Sequence, residues 1–369
     1  MLRRVGRLGV VSILAVLLLV FTIYRQGSQR NHYLNPSLTT NSLSPATDWN
    51  PICRSHGFSL FPPQQPRRVY DLILMSSELD WLEIRLQTHH PYVDYFVILE
   101  SPTTFTGSSK PLHLAENWDR FAPFHHKIIY KEVHDPLTST WTWDHETWFR
   151  NSMLYEVFPT LSGTAKAASK DDVLIVSDMD ELVKPAALLL LRYCTFPQRL
   201  TLGTGFYYYS FQYLHRSTPQ WPHPQATTFG DGVEKTLAPN DLRMGLLEPG
   251  KNYVLAYISR WRNTATLWNA GWHCSSCFST LKEMQTKMQS FSHTPLNTPE
   301  NRDPATIMHR VRNGLDLFGR EGQAFDRIEG NRDVPQFVLE QFEREGRFRY
   351  LLDRDGEEAG FEDWDAGGL

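Results

Sequence analysis

The chain has 369 residues, 41% of them hydrophobic and 21% charged, with a formal net charge of −4. That length supports one large domain or two small ones, and the mildly acidic balance excludes a nucleic-acid binder, which needs a clustered basic face. Four cysteines are too few for a disulfide-dense scaffold; the unusual figure is the aromatic fraction, 13% with 11 Trp.

The ends read as extensions outside the fold. Arg3, Arg4 and Arg7 precede an uncharged apolar run from Leu8 to Tyr24. At ~1.5 Å per residue the run reaches about 25 Å, close to the thinner bilayers of the early secretory pathway. Arg25-Gln26-Gly27-Ser28 is a poor cleavage site, so an uncleaved anchor is expected rather than a signal peptide. Positive charge on its N-terminal side places residues 1–7 in the cytosol, 8–24 in the membrane and the remainder in a lumen. Residues 25–66, rich in Asn, Ser, Thr and Pro, read as a stem or linker, and 67–352 as the lumenal domain. From Asp353 seven carboxylates face the single Arg354, which predicts a disordered acidic tail over 353–369.

Between these ends strand and helix signals alternate. Val69–Met75 (VYDLILM) predicts a buried strand, 78–90 a helix with Leu79, Leu82 and Leu86 at helical spacing, and 93–99 (VDYFVIL) a second strand. A third strand is expected at 127–133, a helix at 144–158 and a fourth strand at 172–177 (DVLIVS). Pro185 then opens a helix at its first turn, where a missing N–H costs little. After Arg199 the pattern turns irregular and aromatic, and helical character returns at 279–291 and 303–313. The alternation predicts an α/β fold with a mainly parallel sheet, whose ligands collect at the carboxyl ends of the strands.

Asp178-Met179-Asp180-Glu181 ends the strongest strand. Asp-x-Asp occurs twice more, at Asp353/Asp355 and Asp363/Asp365, but with no strand before it. Two carboxylates at a sheet's carboxyl edge suit Mg²⁺ or Mn²⁺, with substrate phosphates completing the shell. The plainer reading is a solvated turn capping the helix at Pro185. A phosphatase of the haloacid-dehalogenase type also begins with Asp-x-Asp after an apolar strand, but usually near the domain start.

The second distinctive run is Gly271-Trp272-His273-Cys274-Ser275-Ser276-Cys277. It lacks a second Cys/His pair at zinc spacing, so disulfides are the simpler expectation in an oxidising lumen, with three connectivities open to Cys53, Cys194, Cys274 and Cys277. His273 is either structural or a third protein ligand of the metal at Asp178 and Asp180.

Taken together, LMSSELDWLEIRL (74–86), VILES (97–101) with Phe105-Thr106-Gly107, DDVLIVSDMDE (171–181) and AGWHCSSCF (270–278) resemble glycosyltransferase family 17 in the same order, as does 303–319. The resemblance spans roughly 69–352. It implies a GT-A-like nucleotide-sugar fold, a divalent metal and a UDP-GlcNAc donor. By matching motifs it also implies metal carboxylates at Asp178 and Asp180 with the acid Glu181 beside them, and donor contacts from Glu78, Glu100, Ser101, Arg150 and Lys287. Arg312 lies in the last matching stretch and, with Lys287, is a candidate fixed positive charge for the leaving group. Ser276 stands where the family's animal enzymes carry Trp, and Pro185 and Ala186 stand where they carry further acid.

The expected activity is an inverting, metal-dependent transfer of GlcNAc from UDP-GlcNAc to a mannose of a glycoprotein N-glycan, on the lumenal side of a Golgi membrane as a single-pass type II protein, with the endoplasmic reticulum as the alternative location. The general base is left open among Asp144, Glu146, Asp231, Glu234 and Asp326. The aromatic run Phe206 to Tyr213 is either an acceptor wall or interior packing. The alternatives are a catalytically silent sugar-binding or scaffold protein of the same fold, or a transferase with another donor or acceptor.

Overall fold

The computed structural model describes residues 31–38, 47–62, 67–247 and 252–364. The expected cytosolic tail (1–7) and membrane anchor (8–24) lie outside the described residues. No helix among the described residues is long and apolar enough to cross a membrane.

In chain order the first half contains β1 (Asn31–Tyr33), α1 (Trp49–Ser55), β2 (Ser59–Leu60), β3 (Val69–Met75), α2 (Leu79–His89), β4 (Tyr95–Glu100), α3 (His113–Glu116), β5 (Ile128–Glu132), α4 (Thr142–Ser152), β6 (Val173–Ser177), β7 (Glu181–Val183), α5 (Pro185–Tyr193) and β8 (Cys194–Thr195). The second half contains β9 (Arg199–Tyr208), β10 (Ser210–His215), β11 (Gln220–Trp221), β12 (Gln225–Thr228), α6 (Pro239–Arg243), α7 (Tyr253–Arg262), β13 (Thr264–Ser275), α8 (Leu281–Ser290), α9 (Pro304–Arg312), β14 (Phe325–Arg327) and α10 (Gln336–Glu345). The large sheet runs β1-β13-β9-β12-β6-β3-β4-β5, and β7, β10, β11 and β14 pair on its margins. β3, β4, β5 and β6 are mutually parallel where they pair, β9 and β13 are parallel, and β12 runs antiparallel between β6 and β9. The sheet is therefore mixed but mostly parallel, as the alternation of strands and helices predicts.

Burial on both faces explains the apolar runs. Val69, Ile73 and Met75 of β3 enter one apolar cluster, and Tyr70 and Leu72 enter another. Asp71, in the middle of this strand, is fully buried and is neutralised by Arg85, whose Nη2 and Nε donate to its oxygens at 2.7 and 2.8 Å. His89 Nδ1 lies 3.0 Å from the same carboxylate. Both partners stand on α2, one turn apart, so α2 is clamped to β3 by charge as well as by Leu82 and Leu86.

Several expectations are corrected. The aromatic stretch after Arg199 is not irregular: it forms β9 and β10 with Tyr209 between them, and Tyr207, Tyr209, Phe211 and Tyr213 are core. The helix expected over 144–158 ends at Ser152 and continues as one wide turn and a tight turn to Leu161, where Pro159 removes a helical donor. The stem expected over 25–66 is, where described, part of the body: β1 pairs with β13, and a Cys53–Cys194 disulfide ties α1 to β8. The second disulfide joins Cys274 and Cys277.

The acidic tail expected to be disordered is folded through residue 364, because its charges find partners. Arg354 is fully buried and donates to the carbonyls of Tyr209, Phe278 and Ala359. Asp363 accepts from the backbone N–H groups of Leu281 and Lys282, capping the start of α8. Asp355 pairs with Arg327.

Candidate active site

Two distant sequence motifs meet through strand register. β6 ends at Ser177, the chain turns through Asp178, Met179 and Asp180, and β7 begins at Glu181. β7 pairs antiparallel with β13, setting Glu181 opposite His273, Leu182 opposite Trp272 and Val183 opposite Gly271. The Cys274 N–H donates to the Asp180 carbonyl at 3.2 Å. Glycine is required at 271, where a Cβ would overlap the Leu182 carbonyl.

The turn is held from beneath by Arg85, whose Nη1 donates to the carbonyls of Asp178, Met179 and Glu181 at 3.0, 3.1 and 3.1 Å. One buried guanidinium thus neutralises Asp71 and fixes the backbone that presents the carboxylates.

Glu181 faces inward. Arg243 of α6 binds it through two parallel hydrogen bonds of 2.8 Å, and Trp221 Nε1 donates to it at 2.9 Å. Its Oε2 also accepts from the Asp178 N–H at 3.0 Å. Burial raises the Glu181 carboxyl, but the charge and hydrogen bonds of Arg243 outweigh it and hold the acid well below the usual range. Arg243 Nη2 also donates to Asp178 at 2.6 Å, and Arg150 Nη2 lies 3.5 Å from the other Asp178 oxygen. Arg150 is positioned on α4 by Glu146, at 2.5 Å, and by Asn240 of α6, at 3.0 Å.

Asp180 is different. Burial pushes its carboxyl up to about 7, against the pull of Lys287 and with help from the Asp178, Glu181 and Glu78 charges. It faces the His273 imidazole, Nε2 to Oδ1 3.8 Å. Burial holds His273 down at about 4 despite the nearby Glu181 and Asp178, so the ring is neutral, and its buried Nδ1 has no hydrogen-bond partner.

These residues line a cleft of about 730 Å³. Glu78, Ser101, Arg150, Asp178, Asp180, Glu181, His273 and Lys287 all reach it. Across it Lys287 Nζ meets Glu78 Oε1 at 2.7 Å. Burial raises Glu78, but the Lys287 charge and hydrogen bond hold it at about 2. Two expected donor contacts are not brought there. Glu100 is buried beneath the cleft and accepts from the N–H groups of Leu114 and Ala115, at 2.9 and 3.3 Å, so it caps α3. Arg312 is exposed at the end of α9, outside the cleft lining.

Of the five base candidates, Glu146 lines the cleft, whereas Asp144 opens onto a separate surface hollow with Leu137 and Ser139. Asp231 and Asp326 are tied to Lys235 and Arg216 on the surface, and Glu234 is exposed. Of the aromatic run, Phe206 and Tyr208 reach the cleft wall. Phe206 stacks between His215 and His273, each ring centroid 5.0 Å away, and Trp221 flanks it at 5.1 Å.

The sequence reading missed Arg85, Arg243 and Trp221. Arg85 lay within a recognised helix, but its position gave no sign of a buried partner. Arg243 follows a readable helix start at Pro239 but belongs to no motif.

The sequence profile of glycosyltransferase family 17 matches residues 10–228 and 251–353. The chain belongs to glycosyltransferase family 17. Arg243, which pairs with the carboxylates of this family member's cleft, falls in the stretch between the two matched segments. Beta-1,4-mannosyl-glycoprotein 4-beta-N-acetylglucosaminyltransferases of Homo sapiens, Rattus norvegicus and Mus musculus are each 26% identical to the chain over 312 residues, covering 80% of it. The chain spans 56% of the length of these relatives. Its α/β fold is consistent with a GT-A-like member of that family.

Proposed function

We propose that the chain is a metal-dependent, inverting transferase that moves GlcNAc from UDP-GlcNAc to a mannose of a glycoprotein N-glycan, anchored in a Golgi membrane by residues 8–24. The observation that carries this reading is the cleft in which a half-buried Asp180 meets a neutral His273 at the carboxyl end of β6. The activity that these relatives are named for supports the choice of donor and acceptor.

The residues fit a divalent ion in part. Asp180 and His273 offer a carboxylate and a neutral imidazole, while Asp178 is already engaged by Arg243 and Arg150. Among the described residues no three His, Cys, Asp or Glu side chains are gathered as an ion site, so substrate oxygens would complete the shell. When bound, the metal neutralises charge that grows on the departing pyrophosphate. Lys287 supplies a fixed positive charge in the same cleft. Arg85, Arg243 and Glu181 hold the 178–181 turn rigid, so that Asp180 is presented without reorganisation. Glu146 is the cleft carboxylate assigned to take the acceptor hydroxyl's proton. Trp221, half-buried in the cleft wall, offers an apolar face on which a sugar ring stacks.

The test is transfer from a panel of UDP-sugars to trimmed N-glycans by the full chain, with Mn²⁺ and with chelator. Mn²⁺-dependent transfer of GlcNAc supports the reading. Absence of turnover with every donor and acceptor overturns it.

A further inference from the structure

Helix α7 carries its apolar side chains on the wrong side for a soluble surface. Ala256 is its buried residue, whereas Tyr253, Val254, Leu255, Tyr257 and Ile258 are exposed, Tyr253 and Leu255 by 73% and 65%. The preceding Met244 and Leu246 are exposed as well, and Arg260 binds the Gly245 carbonyl, joining that loop to the helix. A contiguous apolar patch of this kind marks an interaction surface.

The position of β1 indicates what covers it. β13 starts at Thr264, directly after α7 and Asn263, and β1 pairs with it in parallel from Asn31 opposite Thr266. The described chain therefore begins at the same sheet edge where α7 ends. In sequence, six residues separate Asn31 from Tyr24, the end of the apolar run. Fully extended, the seven steps from Tyr24 to Asn31 span at most about 25 Å. An anchor at 8–24 thus holds this edge within that distance of the bilayer. The composition agrees: Tyr253, Tyr257 and Trp261 are residues that favour the membrane interface, and Arg262 closes the helix with an exposed cation suited to headgroups.

We propose that α7 lies on the lumenal leaflet as an interfacial helix, with Leu255 and Ile258 among the acyl chains, so that the enzyme body is docked on the membrane rather than suspended above it. Met244 lines both this patch and the cleft, so docking sets the cleft rim close to the lipid surface. The proposal rests on the anchor assigned under Proposed function.

The experiment uses the full chain reconstituted in phosphatidylcholine vesicles, with a nitroxide at Leu255→Cys, at Ile258→Cys, or at the exposed control Leu137→Cys, which follows β5 at the opposite edge of the sheet. Alkaline carbonate extraction of the same vesicles tests the anchor separately. The expected result is retention of the chain, with labels 255 and 258 losing collisions with a water-soluble nickel chelate and gaining them with oxygen, while label 137 does not change. If the chain is retained but labels 255 and 258 meet the nickel chelate as freely as 137, the docking is overturned and the anchor stands. Spin–spin broadening with protection from both probes also overturns it, because a second copy then covers the helix. Release by carbonate overturns the anchor and the docking together.

Discussion

Arg243 donates to Asp178 at 2.6 Å from a helix 65 residues further along the chain, and the same guanidinium grips Glu181 through two bonds of 2.8 Å. The Asp-x-Asp-Glu turn is therefore not a loose pair of carboxylates at a sheet edge. One acid is buried in a salt bridge, one is shared with arginines, and Asp180 is left to face the cleft.

Arg243→Met leaves Glu181 buried without its counter-charge, and loss of one partner of a buried pair costs about 3–5 kcal/mol. Urea unfolding should show that loss, and the double change Arg243→Met with Glu181→Met should recover much of it. Additive losses in the double variant would mean that the pair does not act as a unit.

Asp180 and Asp178 should separate in metal dependence. Asp180→Asn is expected to abolish Mn²⁺-dependent UDP-sugar binding without destabilising the fold, since it removes a buried charge beside Asp178, Glu181 and Glu78. His273→Gln should raise the Mn²⁺ concentration needed for half-maximal binding. Asp178→Asn should disturb stability more than Asp180→Asn, through Arg243. Calorimetric titration with Mn²⁺, paired with thermal unfolding, reads both; equal behaviour of the two Asn variants would contradict the division of roles.

The pair behind β3 should contribute two stages to acid unfolding. Burial lowers the His89 pKa more than its bond to Asp71 raises it, so the unfolded chain takes up that proton first and stability declines as pH falls below about 6.5. Burial raises Asp71, but Arg85 and His89 outweigh it and hold the acid well below its unfolded value. Its stabilisation is complete above about pH 3.9 and is lost as pH falls through the folded value. Each group contributes a slope of up to about 1.4 kcal/mol per pH unit within its window. Urea midpoints between pH 8 and pH 3 test this, and His89→Gln should flatten the upper stage and also shrink the lower one, since His89 helps to hold Asp71 down.

The disulfides should be unequal. Cys53–Cys194 closes a loop with a sequence separation of 141, and Cys274–Cys277 one of 3. Loop-closure entropy assigns the long loop about 3–5 kcal/mol and the short one less. Thermal unfolding of Cys53→Ala/Cys194→Ala should show the larger drop, with α1 and β2 detached from β8; a larger drop for Cys274→Ala/Cys277→Ala would contradict the entropic origin.

Much of the parallel half was legible, because strands buried on both faces must be continuous apolar runs: Val69–Met75 matches β3 residue for residue. The Asp178/Asp180 motif could be placed for the same reason. β9 and β13 were not legible, because their glycines and aromatics follow no clean period of two and their partner is another irregular strand. Glu100 could be read either as a donor ligand or as a helix cap, because a Glu at a strand's end looks the same in both roles; only the position of Leu114 decides. The acidic tail read as disordered because charge was counted without the buried carbonyls that await Arg354.

By itself the sequence determined the fold class, the strand that carries the carboxylates and the family, since these depend on local periodicity and on the order of short motifs. Tertiary structure alone decided which acids are neutralised. A buried carboxylate's state depends on cations within a few ångströms, and Arg85, Arg243 and Lys287 are brought there from 93, 65 and 107 residues away, measured from Asp178 and Asp180. No local pattern encodes those distances, so the two aspartates, alike on paper, take different roles in the cleft.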